Sequence, residues 1–229
     1  MSARLVALVP MRHESVRVPG KNYRSFAGRP LFDWVLRALL SCEIVAEVVV
    51  DTDSSEIMRG IADRFPTVRC LQRPPHLCGG DVPMNDILLH DVSVIDAGLL
   101  LQTHSTNPLL RPGTISEAAS RFLAGLPEHD SLFSVTRLQK RLWQADGHPI
   151  NHDPNVLRRT QDLAPVFEEN SCLYFFTRET LVANRNRIGR RPQMFEMNPV
   201  EAWDIDDELD FRVGELLLLQ RNEGERVVS

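Results

Sequence analysis

The chain has 229 residues, 43% of them hydrophobic and 25% charged, which is enough apolar material for one substantial core inside a polar shell. A formal net charge of -5 excludes a general nucleic-acid binder, which would carry a basic face, so the cations near the start of the chain serve a small, charged ligand. Cys42, Cys70, Cys78 and Cys172 are scattered without a CxxC pair, so neither a disulfide framework nor a zinc site is expected.

Met1 to Val9 lacks the long apolar core and cleavage site of a secretory leader, and no apolar run reaches membrane-spanning length. The expectation is a cytoplasmic chain with no membrane partner. Leu5 to Val9 is an apolar run of strand length that breaks into a polar loop holding Arg12, Arg17 and Lys21. From Pro30 to Leu40, Pro at a first helical position and apolar residues at Leu31, Trp34, Val35, Ala38 and Leu39 predict a helix. Glu47 to Asp51 is a β-branched run, after which Asp53 or Ser54 caps a helix through Ile57, Ile61 and Phe65.

A short strand is expected at Thr67 to Leu71, a Pro/Gly-rich loop at Gln72 to Pro83, and a helix at Asn85 to Ala97. Gly98 to Gln102 predicts a strand covered on both faces, and its end again releases polar residues, Thr103 to Asn107. Pro112 to Leu123 predicts a helix and Ser131 to Val135 a strand. Periodicity weakens from Arg137 to Glu169, which marks an excursion from the main sheet. Regular pattern returns with strands at Leu173 to Phe176 and Met194 to Met197 around a helix at Arg178 to Ala183. A last helix carries Leu209, Val213, Leu216, Leu217 and Gln220 on one side.

Alternating strands and helices imply an α/β fold: a single three-layer Rossmann-like domain over residues 1–229 with a mostly parallel sheet. In such sheets ligands collect outside the carboxyl ends of the strands, where the Arg12 to Lys21 loop falls. Neither the GxGxxG fingerprint nor the GxxxxGK[ST] loop follows the first strand, so positive charge for phosphates must come from side chains. Near the far end, Asp204-Ile205-Asp206 puts two carboxylates on one face if extended, a seat for Mg2+ completed by substrate phosphates. The competing role is capping of the last helix by Asp206, with Asp207 and Glu208 in its first turn.

Taken together, these residues resemble the CMP-sialic acid synthetases and related cytidylyltransferases that activate 2-keto-3-deoxy sugar acids. The resemblance covers almost the whole chain. It rests on Arg12, Ser15, Pro19, Lys21 and Asn22, on Gly28-Arg29-Pro30-Leu31, on Asp51-Thr52-Asp53-Ser54 and on Gln72-Arg73-Pro74. It continues through Leu101-Gln102, Ser105, Pro108-Leu109, Asn170, Tyr174 and Asp204 to Asp210. The nucleotide-diphospho-sugar transferase type of sheet is implied, with transfer of CMP from CTP to an anomeric hydroxyl and release of pyrophosphate.

The same resemblance implies that Arg12, Lys21 and Asn22 hold the triphosphate, with Met11 and Arg17 beside them, Arg73 at the cytidine end and Asn85 where a phosphate-contacting Ser often stands. Gln102, Asn170 and Tyr174 would line the sugar pocket. Asp204 and Asp206 would ligate Mg2+, and Arg12, Lys21 and Asp206 would carry the catalytic burden. Residues 137–169 would form a dimerisation excursion, making the protein a homodimer.

Three departures stand out. Glu14-Ser15-Val16-Arg17 replaces the family's Gly-Ser-Lys-Gly, so Val16 takes the place of a phosphate-facing Lys. Gln102 to Pro108 is one residue longer than the usual strand-end motif, and Arg187-Ile188 aligns with an aromatic pair that flanks an N-acyl group. His13 and His104 fall at strand ends as catalytic candidates or solvated loop residues, and Arg158-Arg159 is either a carboxylate grip or a basic face. A nucleotide-sugar glycosyltransferase with an Asp-x-Asp metal site, or a non-catalytic nucleotide-binding relative, are the alternative functions.

Overall fold

The computed structural model describes residues 4–228, so residues 1–3 of the stretch read for a leader lie outside the described residues. β1 (Leu5–Met11) is buried along its length and alternates faces. Leu5, Ala7, Val9 and Met11 enter one apolar cluster, Val6 and Leu8 another. A two-residue hairpin, β2 (Ser25–Phe26) and β3 (Arg29–Pro30), leads into α1 (Leu31–Leu40), so Pro30 caps the helix rather than opening it. β4 (Val45–Thr52), α2 (Ser55–Arg64) and β5 (Arg69–Gln72) follow, with the Ser54 side chain accepting from the Ile57 N–H as the expected cap.

Next come α3 (Met84–Val94), β6 (Leu99–Thr103), α4 (Pro112–Gly125), β7 (Ser131–Leu138), β8 (Val166–Thr177), α5 (Arg178–Asn184), β9 (Pro192–Glu196) and α6 (Glu208–Val228). The main sheet has seven strands in the order β5-β4-β1-β6-β8-β7-β9. Parallel registers join β1 to β4 and β6, β4 to β5, and β7 to β9, while β8 runs against both its neighbours. The expected mostly parallel sheet is what forms.

Helices cover both faces because β1 and β6 have no polar side. Phe32, Leu36 and Leu39 of α1, Ile57 and Ile61 of α2 and Phe122 of α4 pack against Val9, Val50 and Leu101. Leu88 and Val92 of α3 and Leu181 of α5 pack against Leu8, Val49 and Leu100. Each such fully buried side chain stabilises the fold by about 1.5–3 kcal/mol. A third cluster, Val18, Phe26, Leu31, Leu109, Ile205, Phe211 and Leu218, joins the loop after β1 to the far end of the chain. That small core positions the site.

Three expectations are corrected. α6 buries Phe211 and Leu218, whereas Leu209 and Leu216 are exposed, because the third cluster lies on that other stripe and Gly214 admits the Trp203 indole there. β7 and β8 extend past the apolar stretch, pairing Arg137 with Phe167 and Leu138 with Val166, so the irregular excursion is confined to residues 139–165. The segment from Asp204 to Asp206 is irregular chain rather than a strand. Among the described residues no helix is long and apolar enough to cross a membrane.

Candidate active site

A cavity of about 630 Å³ opens at the carboxyl ends of β1, β5 and β6, a volume in the range of small-molecule sites. Its wall takes Met11, Arg12, Arg17, Lys21 and Asn22 from β1 and the loop after it, Arg73 from beyond β5, and Asp204 and Asp206 from just before α6. Eight of the residues singled out from sequence therefore meet in one place, although 192 positions separate Arg12 from Asp204. The mouth is completed by Gly79 and Gly80 of the Pro/Gly-rich loop and by the apolar side chains of Val82, Met84 and Ile87.

The loop after β1 keeps its shape through local chemistry. Gly20 adopts φ 66°, and a Cβ there would meet the Tyr23 ring at 2.9 Å, so both conformation and space call for glycine. Buried Asn22 donates from Nδ2 to the Arg12 carbonyl at 2.7 Å and accepts from Ser105 Oγ at 2.6 Å, fastening the loop to the residues after β6. His13 is tied to the end of β4: its N–H donates to Asp53 Oδ1 at 2.7 Å, its Nδ1 lies 2.7 Å from Ser54 Oγ, and its ring stacks on Tyr23. It anchors the loop and does not line the main cavity. Val16, 98% exposed, stands at the cavity's lip and faces water.

At the other end, Ile205 is fully buried and donates its N–H to the Thr106 carbonyl, while Asn107 Nδ2 donates to the Trp203 carbonyl. Burying Ile205 leaves Asp204 and Asp206 on the cavity, the alternation expected of a strand without a strand being present. The cap of α6 belongs to Asp207, not Asp206. Asp207 Oδ1 accepts from the N–H groups of Leu209 and Asp210, and Asp210 Oδ2 accepts from those of Asp206 and Asp207, a reciprocal capping box. Asp206 is thereby free of helix duty.

The charges of the two segments meet. Arg17 Nη2 donates to Asp206 Oδ1 at 2.7 Å, and Lys21 Nζ donates to the Ile205 carbonyl at 2.5 Å. Burial lowers the Lys21 pKa, with Asp204 and Asp206 opposing that shift. Burial raises the Asp204 pKa, countered by a hydrogen bond from Thr106 and by the Lys21 charge. Asp204 Oδ1 is buried on the cavity with no hydrogen-bond donor. An oxygen-lined pair with one unsatisfied carboxylate oxygen is chemically suited to a hard divalent cation such as Mg2+, which completes its shell with water and phosphate oxygens. Among the described residues no group of three or more His, Cys, Asp or Glu side chains is arranged to hold a metal, unlike a zinc site.

Arg73 has a buried partner. Its Nε donates to Asp51 Oδ1, its Nη2 reaches the carbonyls of Met11 and Asp51, and both side chains are 1% exposed. Beside them on α3 sits Asp91, fully buried, with neither carboxylate oxygen given a donor by the surrounding structure. Burial and then the Asp51 charge raise its pKa to about 8, and burial raises that of Asp51 against the pull of Arg73. A proton on Asp91, donated to Asp51, supplies the missing bond. Asp91 was not among the expected residues, yet its place on the apolar stripe Ile87-Leu88-Asp91-Val92 is a sequence signal for a buried acid.

Four expected contacts stand behind the wall rather than on it. Asn85 Oδ1 accepts from the Arg187 N–H at 3.1 Å and its Nδ2 donates to Asn186, so its amide is spent on holding the 186–187 turn. Asn170 accepts from Ser134 Oγ and the Cys172 N–H and donates to Thr136 Oγ1 across a β-bulge, so most of its amide is engaged within the sheet and it does not line the cavity. Gln102 is fully buried, bonding His104 through Nε2 and Arg187 through Oε1. Tyr174 is buried with its hydroxyl donating to Glu169 and its ring beneath Arg187. What lines the cavity in their place is Arg187, His104, Thr106 and Ser171. Burial, then the charges of Arg187 and Lys21, push the His104 pKa down to about 3, so its imidazole is neutral and a weak base.

A family model described as cytidylyltransferase matches residues 6–213 of the chain. The chain is 27% identical to N-acylneuraminate cytidylyltransferase A of Danio rerio over 96% of its own length and 52% of that protein. It is also 27% identical to the CMP-N,N'-diacetyllegionaminic acid synthase of Legionella pneumophila, covering 94% of the chain and 96% of that protein. The chain spans about half the length of the first curated relatives it matches. Among solved structures, a CMP:2-keto-3-deoxy-manno-octonic acid synthetase complexed with CTP superposes with a TM-score of 0.71 at 16% identity, covering 96% of this chain and all of that one.

Proposed function

The chain belongs to the cytidylyltransferase family, and we propose that it transfers CMP from CTP to the anomeric hydroxyl of a 2-keto-3-deoxy sugar acid, with pyrophosphate as the leaving group. The observation that carries this is the meeting of Arg12, Arg17 and Lys21 with Asp204 and Asp206 in one cavity at the strand ends. Phosphoryl-centred transfer depends mainly on positioning and charge stabilisation, and this wall supplies cations for a triphosphate beside a carboxylate pair. The names of the N-acylneuraminate cytidylyltransferase and of the CMP-N,N'-diacetyllegionaminic acid synthase support the same reading.

Arg12 and Lys21 hold the phosphate oxygens, Arg as a fork and Lys as a point charge, and Arg17 reaches the same region from the loop. Arg73 and the Met11 carbonyl beside it frame the nucleoside end with Val82, Met84 and Ile87 as the apolar surface. Asp204 and Asp206 would hold Mg2+, which when bound neutralises developing charge on the phosphates. Asn22 and Ser105 keep the loop in register with the strand ends, so the cations stay aimed at the same volume. His104, held neutral, can offer a hydrogen bond to a sugar hydroxyl without adding charge.

Pyrophosphate release, assayed with each of the four nucleoside triphosphates and a panel of N-acetylneuraminate, N,N'-diacetyllegionaminate and 2-keto-3-deoxy-manno-octonate, tests the assignment. Release is expected only with CTP plus an acid. No release with any acid would overturn the transferase assignment, and release with UTP but not CTP would overturn its cytidyl specificity.

Residues 139–165 form the dimerisation surface of this function. Trp143, Ile150 and Val156 are about half exposed and Leu157 is 90% exposed, an apolar set that water disfavours. The variant Trp143→Glu/Leu157→Glu is expected to halve the mass measured by light scattering, and an unchanged mass would refute the role.

A further inference from the structure

One cation on the cavity wall belongs neither to the loop after β1 nor to an ion pair. Arg187 lies between α5 and β9, lines the cavity, and makes no salt bridge among the described residues, unlike Arg17, Arg24, Arg73 and Arg185. The groups that touch it are neutral, and the acid that acts on it, Glu169, is engaged by the Tyr174 hydroxyl. One Nη donates to Gln102 Oε1, the guanidinium carbon sits 3.5 Å over the centre of the Tyr174 ring, and the backbone N–H is fixed by Asn85 Oδ1. The turn carrying it is pinned again where the Gly189 N–H donates to Ser131 Oγ at 2.8 Å and the Arg190 and Arg191 N–H groups donate to Asp130.

Burial opposes the charge of this guanidinium and the Glu169 carboxylate, itself bonded by the Tyr174 hydroxyl, favours it without forming a salt bridge, so the site carries a desolvated cation with no direct ion pair. The Tyr174 face and the Gln102 carbonyl offset only part of that cost. Of the five N–H donors of an arginine, Gln102 takes one, and the fork geometry of the remainder fits a planar carboxylate better than any neutral sugar hydroxyl. The phosphate-side cations, Arg12, Arg17 and Lys21, come from another segment and share their region with Asp204 and Asp206, whereas Arg187 is accompanied by Gln102, His104 and Ser171.

We propose that Arg187 receives the carboxylate of the sugar acid, and that this contact makes the enzyme select acids over the corresponding neutral sugars. The assignment rests on the transfer reaction proposed above. Turnover is compared for each panel acid and its C1 carboxamide, using wild type, Arg187→Gln and Arg187→Lys. Wild type is expected to prefer the acid by about 10²-fold, the size of a desolvated charge-assisted pair. In Arg187→Gln, which can still bond Gln102 and lie on Tyr174, the KM for the acid rises by a similar factor, the preference over the amide disappears, and the KM for CTP is unchanged. Arg187→Lys restores part of the preference, because it keeps charge but not the fork.

Calorimetric titration of the acids into CTP-saturated protein without metal gives a second measure that needs no turnover, with the same loss of affinity expected in Arg187→Gln. Retained preference for the acid in Arg187→Gln, or KM values for CTP and acid rising together, would overturn the assignment. Wild type that binds acids through Arg187 but releases no pyrophosphate would overturn the transfer reaction and leave the carboxylate site standing. Wild type that binds none of the acids would overturn both.

Discussion

Replacing Asp204 with Asn is expected to lower pyrophosphate release by about 10²–10³-fold while leaving the protein at least as stable as before. The two effects have one origin. Asp204 holds a carboxylate oxygen buried on the cavity with no donor, and burial raises its pKa above that of an unfolded chain. A carboxyl with a raised folded pKa contributes stability that is complete below the unfolded pKa and lost as pH rises through the folded one. At neutral pH the native state therefore carries a penalty that Asn removes. The charge is kept because the proposed reaction needs it, a common relation between stability and activity.

Asp206→Ala should lose a similar factor in turnover with an unchanged melting temperature. Its side chain is 52% exposed and its partner Arg17 is 64% exposed, a surface ion pair of the kind worth about 0–1 kcal/mol. Melting curves at acidic and alkaline pH complete the measurement: the advantage of Asp204→Asn over wild type should grow with pH. Turnover close to wild type in both variants would mean the pair is only structural.

Much of this site was legible because it rests on patterns that water enforces. The β1 run followed by Arg12, Arg17 and Lys21 gave a strand and a cationic loop, and Ile205 between two aspartates gave an inward apolar residue with two outward charges. The second inference survives although the segment is not a strand, since burial of Ile205 in the cluster with Val18, Phe26 and Phe211 sets the alternation by itself. The extended halves of β7 and β8 were silent because Arg137, Glu168 and Glu169 put polar residues into the hairpin and hydrophobic periodicity vanishes there.

Residues behind the wall were harder to separate from residues on it. Asn85, Gln102, Asn170 and Tyr174 are polar groups at the right chain positions, and only three-dimensional bonding shows that each is already occupied. Arg187 stood out only as a departure from an aromatic pair, and in a turn rich in Arg nothing local told its chemistry apart from ordinary surface charge. Its chemistry appears once Tyr174 and Gln102 are seen beneath it.

The second large effect is expected at Arg73. Arg73→Met should destabilise the fold by about 3–5 kcal/mol, because removing one partner strands a buried charge on the other. At about 2–4 °C per kcal/mol for a chain of this size, the melting temperature should fall by roughly 6–20 °C. Adding Asp51→Asn should recover much of that loss, since no unpaired carboxylate then remains beside Asp91. A single variant that melts like wild type would show that the pair is solvated in solution.

Asp91→Asn probes the shared proton directly, because Asn keeps a neutral donor facing Asp51. With a folded pKa near about 8, well above the ordinary carboxylate range, Asp91 gives stability at low pH that wild type loses as pH rises through about 8. Wild type and Asp91→Asn should thus melt alike in acid and diverge in favour of the variant in mild alkali. His90, Asp51 and Arg73 are the other titratable or charged groups acting on this cluster, and all three remain in the variant. A melting difference that does not change with pH would mean that Asp91 and Asp51 share no proton, and Arg73 would then be balancing two carboxylates alone.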